Sequence, residues 1–203
     1  MRIDLMGRKH NDEEVLDSLP KCDGHMYIVS GGEVVWINHN GEQVDPPNIT
    51  SISQYAFSGC DDIQKVVIPN NVTSICKYAF GNCGGLKSVT IPNSVTSIDD
   101  SAFSDCKVLK SIDIPNSVTS IGRYAFAWCH GLTSVTIPDG VSDIGDAAFY
   151  GCTGLTSVVI PESVTSIKDW MFDYCPNLKS VKVPRGCKVD CTTFPEDCKV
   201  IRY

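Results

Sequence analysis

The chain has 203 residues, 42% of them apolar, with a formal net charge of −7 and a pI of about 5.0. One domain or one elongated array fits that length, and the apolar content suffices for a core, which excludes global disorder. The acidic balance argues against a nucleic-acid or anionic-membrane surface, which would need clustered Lys and Arg, and no apolar run approaches the length of a membrane span, so no membrane insertion is expected.

Residues 1–10 carry charges with no apolar h-region behind them, and residues 11–19 are acidic. No signal peptide is read there, so the expected location is the cytoplasm, or the cell surface or exterior if the chain is a trimmed form. Asn11-Asp12-Glu13-Glu14 has the form of a capping box and predicts a short helix to Leu19, stopped by Pro20. Residues 26–30 alternate as a strand does, Gly31-Gly32 is a turn signal, and residues 33–38 (E-V-V-W-I-N) predict a second strand. Asn40-Gly41 offers another turn, and Pro46-Pro47 then punctuates. Residues 1–48 therefore read as an N-terminal cap of a short helix and a β-hairpin. Ile28, Val34 and Trp36 are the side chains expected to cover the first rung of the array that follows.

From Ile49 one sentence repeats, and its cleanest copy, residues 116–138, is N-S-V-T-S-I-x-x-x-A-F-x-x-C-x-x-L-x-S-V-x-I-P in outline. Cys60, Cys83, Cys106, Cys129, Cys152, Cys175 and Cys198 are each 23 residues from the next. Such a period is the signature of a solenoid, here residues 49–203 in about six to seven rungs. L-x-S-V-x-I-P is rich in β-branched residues and ends in proline, which predicts a short parallel strand whose Leu, Val and Ile columns face inward. V-T-S-I predicts a second extended piece on the opposite wall. The stretch x-x-A-F-x-x-C predicts a turn of helix, with Ala and Phe inward and Cys one turn beyond. One unit cannot bury its own inward residues. Stacking can, at ~1.5–3 kcal/mol for each large apolar side chain, in an array about 30 Å long at ~4.8 Å per rung.

The pattern V-T-S-I-G-x-x-A-F-x-x-C-x-x-L-x-S-V-x-I-P resembles the BspA-like subclass of leucine-rich repeats over residues 49–203. The resemblance implies an α/β fold class: a right-handed leucine-rich-repeat solenoid of mostly short parallel strands with helical turns, the L-x-S-V-x-I strand on the concave face. It also implies a surface or secreted protein tied to adhesion, and it brings no enzymatic residue set.

Two irregularities are legible. Met171 stands where other units have Ala, and should overfill the sixth rung. In strict register Asp190 would enter the Ile column, a costly burial; a one-residue shift would put Val189 there instead. Phe194 to Cys198 is also one residue longer than the standard spacing.

Of the eleven cysteines, seven belong to the repeat and read as reduced, buried thiols serving as small hydrophobes, with some disulfides as the alternative. Cys187, Cys191 and Cys198 lack the fourth ligand and the spacing of a zinc site. They read as thiols or as a disulfide of the cap. Cys22 and Cys76 fall outside the column, and Cys76, at a variable position expected to be exposed, is the candidate reactive thiol. A thiol-dependent enzyme would need a base in place; Cys129 should point inward and its neighbour His130 outward. His10, His25, His39 and His130 form no ligand pattern, and Asp61-Asp62 and Asp99-Asp100 read as solvated turns, so no cofactor, metal or catalytic residue is expected.

Recurring columns build the scaffold, and deviations from them carry identity. The outward positions of the L-x-S-V-x-I strands include Ser88, Thr90, Ser111, Asp113, Ser134 and Thr136, a small hydroxyl-rich face that could take a protein or a glycan. On the other wall Tyr124, Trp128, Tyr150, Trp170 and Tyr174 crowd adjacent rungs at outer positions. Exposed rings of this kind mark partner sites, unless they are taken up in packing on one another. The function expected is a non-catalytic protein–protein interaction module, adhesin-like or scaffold. The alternative is an intracellular structural subunit of a larger assembly.

Overall fold

A computed structural model describes residues 2–3, 9–10, 21–22, 25–30, 33–37, 49–189 and 194–203. The predicted helix over residues 11–19, the Gly31-Gly32 and Asn40-Gly41 turns, Asp190 and Cys191 lie outside the described residues, as do the side chains of Cys22, Ile28 and Trp36.

At the N-terminal end β1 (Arg2–Ile3) pairs antiparallel with β2 (Lys9–His10). Then β3 (Lys21–Cys22), β4 (His25–Ser30) and β5 (Glu33–Ile37) run antiparallel to one another, and Ser30 opposite Glu33 closes the predicted hairpin. The hairpin continues the sheet of the repeats. Its β5 pairs in parallel with β7 (Lys65–Val67) at Glu33 and Lys65, whose side chains form an ion pair at 3.1 Å. Val34 is partly buried against the core.

The repeats form a parallel β-solenoid. On one wall lie the two-residue strands β6 (Ser51–Ile52), β8 (Ser74–Ile75), β10 (Ser97–Ile98), β12 (Ser120–Ile121) and β14 (Asp143–Ile144). On the other lie β7, β9 (Ser88–Thr90), β11 (Ser111–Asp113), β13 (Ser134–Thr136), β15 (Ser157–Val159), β16 (Ser180–Val183) and β17 (Lys199–Arg202). Equivalent residues pair across neighbouring rungs, as Ile112 with Val135. Between the walls Phe57, Phe80, Phe103, Phe126, Phe149 and Phe172 stack with ring centroids 5.0–5.8 Å apart and planes within 10°. All six are buried, as are Leu86, Leu109, Leu132, Leu155 and Leu178. Offset ring pairs of this kind add ~0.5–1.5 kcal/mol each beyond the area they bury.

The A-F-x-x-C stretch is not the predicted helical turn. No helix occurs among the described residues, so the fold is a β-solenoid rather than α/β. The cause is a pair of left-handed residues in each rung, two before and two after Phe, such as Tyr78 at φ +54° and Asn82 at φ +60° around Phe80. They turn alternate amides along the array. The N–H groups of Tyr78, Phe80 and Asn82 donate to the carbonyls of Asp100, Ala102 and Ser104 in the next rung at 3.1, 2.8 and 2.7 Å. Those of Ala79, Gly81 and Cys83 close tight turns onto Cys76, Tyr78 and Phe80. A helix would keep every amide within its own rung. Ala and Phe nevertheless face inward as predicted.

The cysteine column is buried and not disulfide-bonded at Cys83, Cys106, Cys129, Cys152 and Cys175. Each thiol donates to the carbonyl of the Phe one rung back, for example Cys83 to Phe57 at 3.0 Å and Cys152 to Phe126 at 3.1 Å. Ala or Val at this position would leave that acceptor one donor short. Cys76 is partly buried rather than exposed.

Met171 is fully buried. The Phe149 amide reaches the Met171 carbonyl at 3.1 Å, against 2.8 Å for the equivalent bonds of Phe57, Phe80, Phe103 and Phe126. Beyond β14 the short-strand wall continues only as a bridge, Ser166 to Lys188, where the strict period would place Val189. That is the one-residue shift, and Val189 packs on the core. Phe194 carries the slip on, stacking on Phe172 at 5.8 Å. Residues 198–203 do not open a seventh unit of standard length. Ser180 pairs with Lys199, where the repeat would place Tyr203. The Arg202 guanidinium then ties down the last turn by donating to the carbonyls of Pro184 and Cys187 at 3.1 and 2.6 Å.

Two outcomes follow from this core. Phe126→Ala, which opens a gap between Phe103 and Phe149, lowers unfolding stability by ~3–5 kcal/mol in a denaturant titration. Burial pushes Cys83 and Cys175 from an ordinary 9.0 up to about 12. Because the folded value is the higher one, their contribution is present below pH 9.0 and is lost as pH rises toward 12. Unfolding stability therefore holds from pH 7 to 8.5 and falls above it, approaching a loss of about 1.4 kcal/mol per pH unit for each thiol. A profile flat to pH 10.5 would contradict the buried ladder.

Candidate interaction surface

The two left-handed columns decide where the outer rings sit. Positive φ suits Gly, Asn and Asp, and costs other L-residues about 1–2 kcal/mol each. Gly59, Asn82, Asp105 and Gly151 meet that demand in the column after Phe. Trp128 (φ +61°) and Tyr174 (φ +57°) occupy the same column, and Tyr124 (φ +55°) and Trp170 (φ +56°) the column before Phe. Four of the five rings singled out in the sequence thus stand on backbone that favours glycine. Tyr55 and Tyr78 do so at the other end of the array, where they stack on each other at 5.2 Å.

The five rings do come together. Trp128 lies over Gly151, where a Cβ would fall 2.5 Å from its Cε3 atom, so that glycine provides both the positive φ and the space. The indole meets Tyr150 edge-on at 5.0 Å and His130 at 5.8 Å, and Tyr150 leans on Tyr174 at 5.1 Å. The His130 ring is held in turn by its Nδ1, 3.1 Å from the Gly151 carbonyl oxygen. Mutual packing does not hide the cluster. Tyr174 is 68% exposed, Trp170 52%, Trp128 40% and Tyr124 38%.

Tyr174 separates two depressions. One, about 490 Å3, is lined by Tyr124, Tyr150, Trp170, Asp173 and Tyr174. The other, about 880 Å3, runs from Trp128 past Tyr174 to Phe194 and Glu196. Asp173 belongs to both and was not singled out from the sequence. The signal was present, since it occupies the same column as Tyr150, one residue after Phe. Partial burial holds its carboxyl above the usual carboxylate range.

On the opposite wall Ser88, Thr90, Ser111, Asp113, Ser134 and Thr136 are all exposed, on β9, β11 and β13. Their side chains form a regular ladder, Ser111 beside Ser134 and Asp113 beside Thr136, and no ring stands among them. Cys129 points into the core and His130 outward. Among the described residues no group of three His, Cys, Asp or Glu side chains is placed to hold a metal ion.

The model of the BspA type leucine rich repeat region matches in six copies, over residues 38–129 and 96–200. The chain belongs to this leucine-rich-repeat family. Solved structures of leucine-rich repeat proteins superpose on the chain. A leucine-rich repeat protein from Bacteroides ovatus ATCC 8483 superposes with a TM-score of 0.66 at 30% identity, over 88% of this chain and 54% of the other. The leucine-rich repeat protein of T. pallidum gives 0.69 at 26% identity, over 85% and 88%. A leucine-rich cell surface protein from Faecalibacterium prausnitzii A2-165 gives 0.53 at 25% identity, over 81% and 61%. The chain thus spans about half the length of the Bacteroides ovatus protein. No curated protein sequence matches it.

The left-handed columns set an expectation for stability. Trp170→Gly removes a half-exposed ring and relieves its positive φ. Thermal unfolding should show stability unchanged or raised, within about 1 kcal/mol, because relief of the backbone offsets the added freedom of the unfolded chain. A loss above ~2 kcal/mol would mean that the ring belongs to the core.

Proposed function

We propose that the protein is a non-catalytic interaction module that holds a protein partner on the outer face formed by Tyr124, Trp128, Tyr150, Trp170 and Tyr174. One observation carries this reading: large rings persist, exposed, at backbone positions where glycine or asparagine would be easier. Strain retained at a surface points to a role outside the fold, and Trp and Tyr are the residue types that dominate binding energy at interfaces. The residues 1–48 act as the cap of the array, a reading supported by the pairing of β5 with β7. An adhesin-like role draws support from the resemblance to a protein described as a cell surface protein. A second reading, an intracellular subunit of a larger assembly, is favoured by the ladder of buried thiols, which suits a reducing compartment.

The test uses three immobilised forms of the full chain: the natural one, Trp128→Ala with Trp170→Ala, and Ser111→Arg with Ser134→Arg. All three should show the same circular dichroism. Partner captured from the native source is lost with the ring variant and kept with the serine variant. The opposite pattern moves the site to the hydroxyl-rich face, and capture abolished by removing the partner's glycans makes the ligand a glycan.

A further inference from the structure

Four rings and one acidic residue, Asp173, line the smaller depression, of about 490 Å3. A surface that only excludes water needs no charge, and the half-buried Asp173 gives up hydration that an apolar occupant would not replace. The faces of the rings are electron-rich, so their field adds to that of the carboxylate. The cations on the chain beside Tyr124 and Trp170 are engaged elsewhere: Arg123 meets Asp146 at 3.3 Å, and Lys168 meets Asp143 at 2.6 Å. Asp169, exposed beside Trp170, contributes a further negative charge. Among the described residues no ion pair reaches Asp173.

Building on the interaction surface proposed above, we propose that the depression between Tyr124, Tyr150, Trp170 and Tyr174 receives an arginine side chain of the partner protein, with Asp173 as its counter-charge. The guanidinium is planar and weakly hydrated. It can stack on a ring face while its N–H fork donates to a carboxylate. A lysine ammonium is compact and strongly hydrated, and has no planar face to lie against a ring. Trp128 does not line this depression. It stands behind, edge-on to Tyr150, and holds the wall in place.

The chain has three tryptophans, Trp36, Trp128 and Trp170, so 15N-labelled full-length protein gives three indole N–H signals. The probes are the blocked tripeptide acetyl-Gly-Arg-Gly-amide, its citrulline, lysine and glutamate counterparts, and tetramethylammonium. The arginine tripeptide is expected to move the Trp170 signal to saturation and leave Trp36 in place. The neutral citrulline isostere should bind about tenfold more weakly, and Asp173→Asn should weaken arginine by a similar factor. Asp173→Asn, on a partly exposed turn, also controls for folding, because the unperturbed positions of the other indole signals report it directly. Equal responses to arginine and citrulline, or none to either, overturn the proposal. Tighter binding of tetramethylammonium than of arginine overturns it in favour of a quaternary ammonium. If the ring variant loses the captured partner while arginine leaves Trp170 unmoved, the surface stands and its arginine specificity falls. If arginine binds but the ring variant keeps its partner, the receptor stands and the capture surface lies elsewhere.

Discussion

Every second amide around the Phe turn finds its acceptor one rung away. That constraint governs the molecule. The N–H groups of Tyr78, Phe80 and Asn82 have no partner in their own rung, and a rung without its neighbour would expose or bury them unsatisfied. The phenylalanine stack has the same property, since each ring is covered by the rings above and below. The thiols extend it a third time, each reaching back to a Phe carbonyl. Backbone, core and sulfur are thus all satisfied between units rather than within them, and stability becomes a property of interfaces along one axis.

The same constraint creates the outer surface. To alternate its amides the chain must enter the left-handed region on both sides of Phe, and those residues become the corners of the rung. Most corner side chains project outward, the small Ser101 and Ala147 being the buried exceptions. The fold therefore leaves these two columns open to variation, and its only local demand is for residues that tolerate positive φ. Tyr, Trp and Tyr at Tyr124, Trp128 and Tyr174 go against that demand. Gly151 shows how the conflict is accommodated, by giving the neighbouring indole a bare backbone to lie on.

Much of this was legible in the residues, and the gaps have identifiable causes. The period, the inward columns, the hairpin and the one-residue slip near Val189 follow from hydrophobic spacing, which reports burial directly. The turn around Phe was misread as helical because spacing of Ala, Phe and Cys fits an inward face in either geometry. Only the residues at φ > 0 distinguish the two, and most of them are not glycine. Gly59 and Gly151 hinted at it, but Tyr55, Tyr78 and Trp170 masked the hint. The grouping of the outer rings was readable from columns one period apart. Asp173 was readable only as an outer position in the column of Tyr150; that it lines both depressions was not, because that depends on which side chains lean toward each other across a corner.

The longer Phe149–Met171 bond has a further meaning. A linear array resembles springs joined in series: deformation gathers at the softest member, whatever the stiffness of the rest. The longer amide bond to Met171 and the interruption of the short-strand wall beyond β14 both fall at the rung of Trp170 and Tyr174. The rings on either side of it are carried by neighbouring units. The rung that carries Trp170 and Tyr174 is thus the one at which the ladder of the short-strand wall gives out.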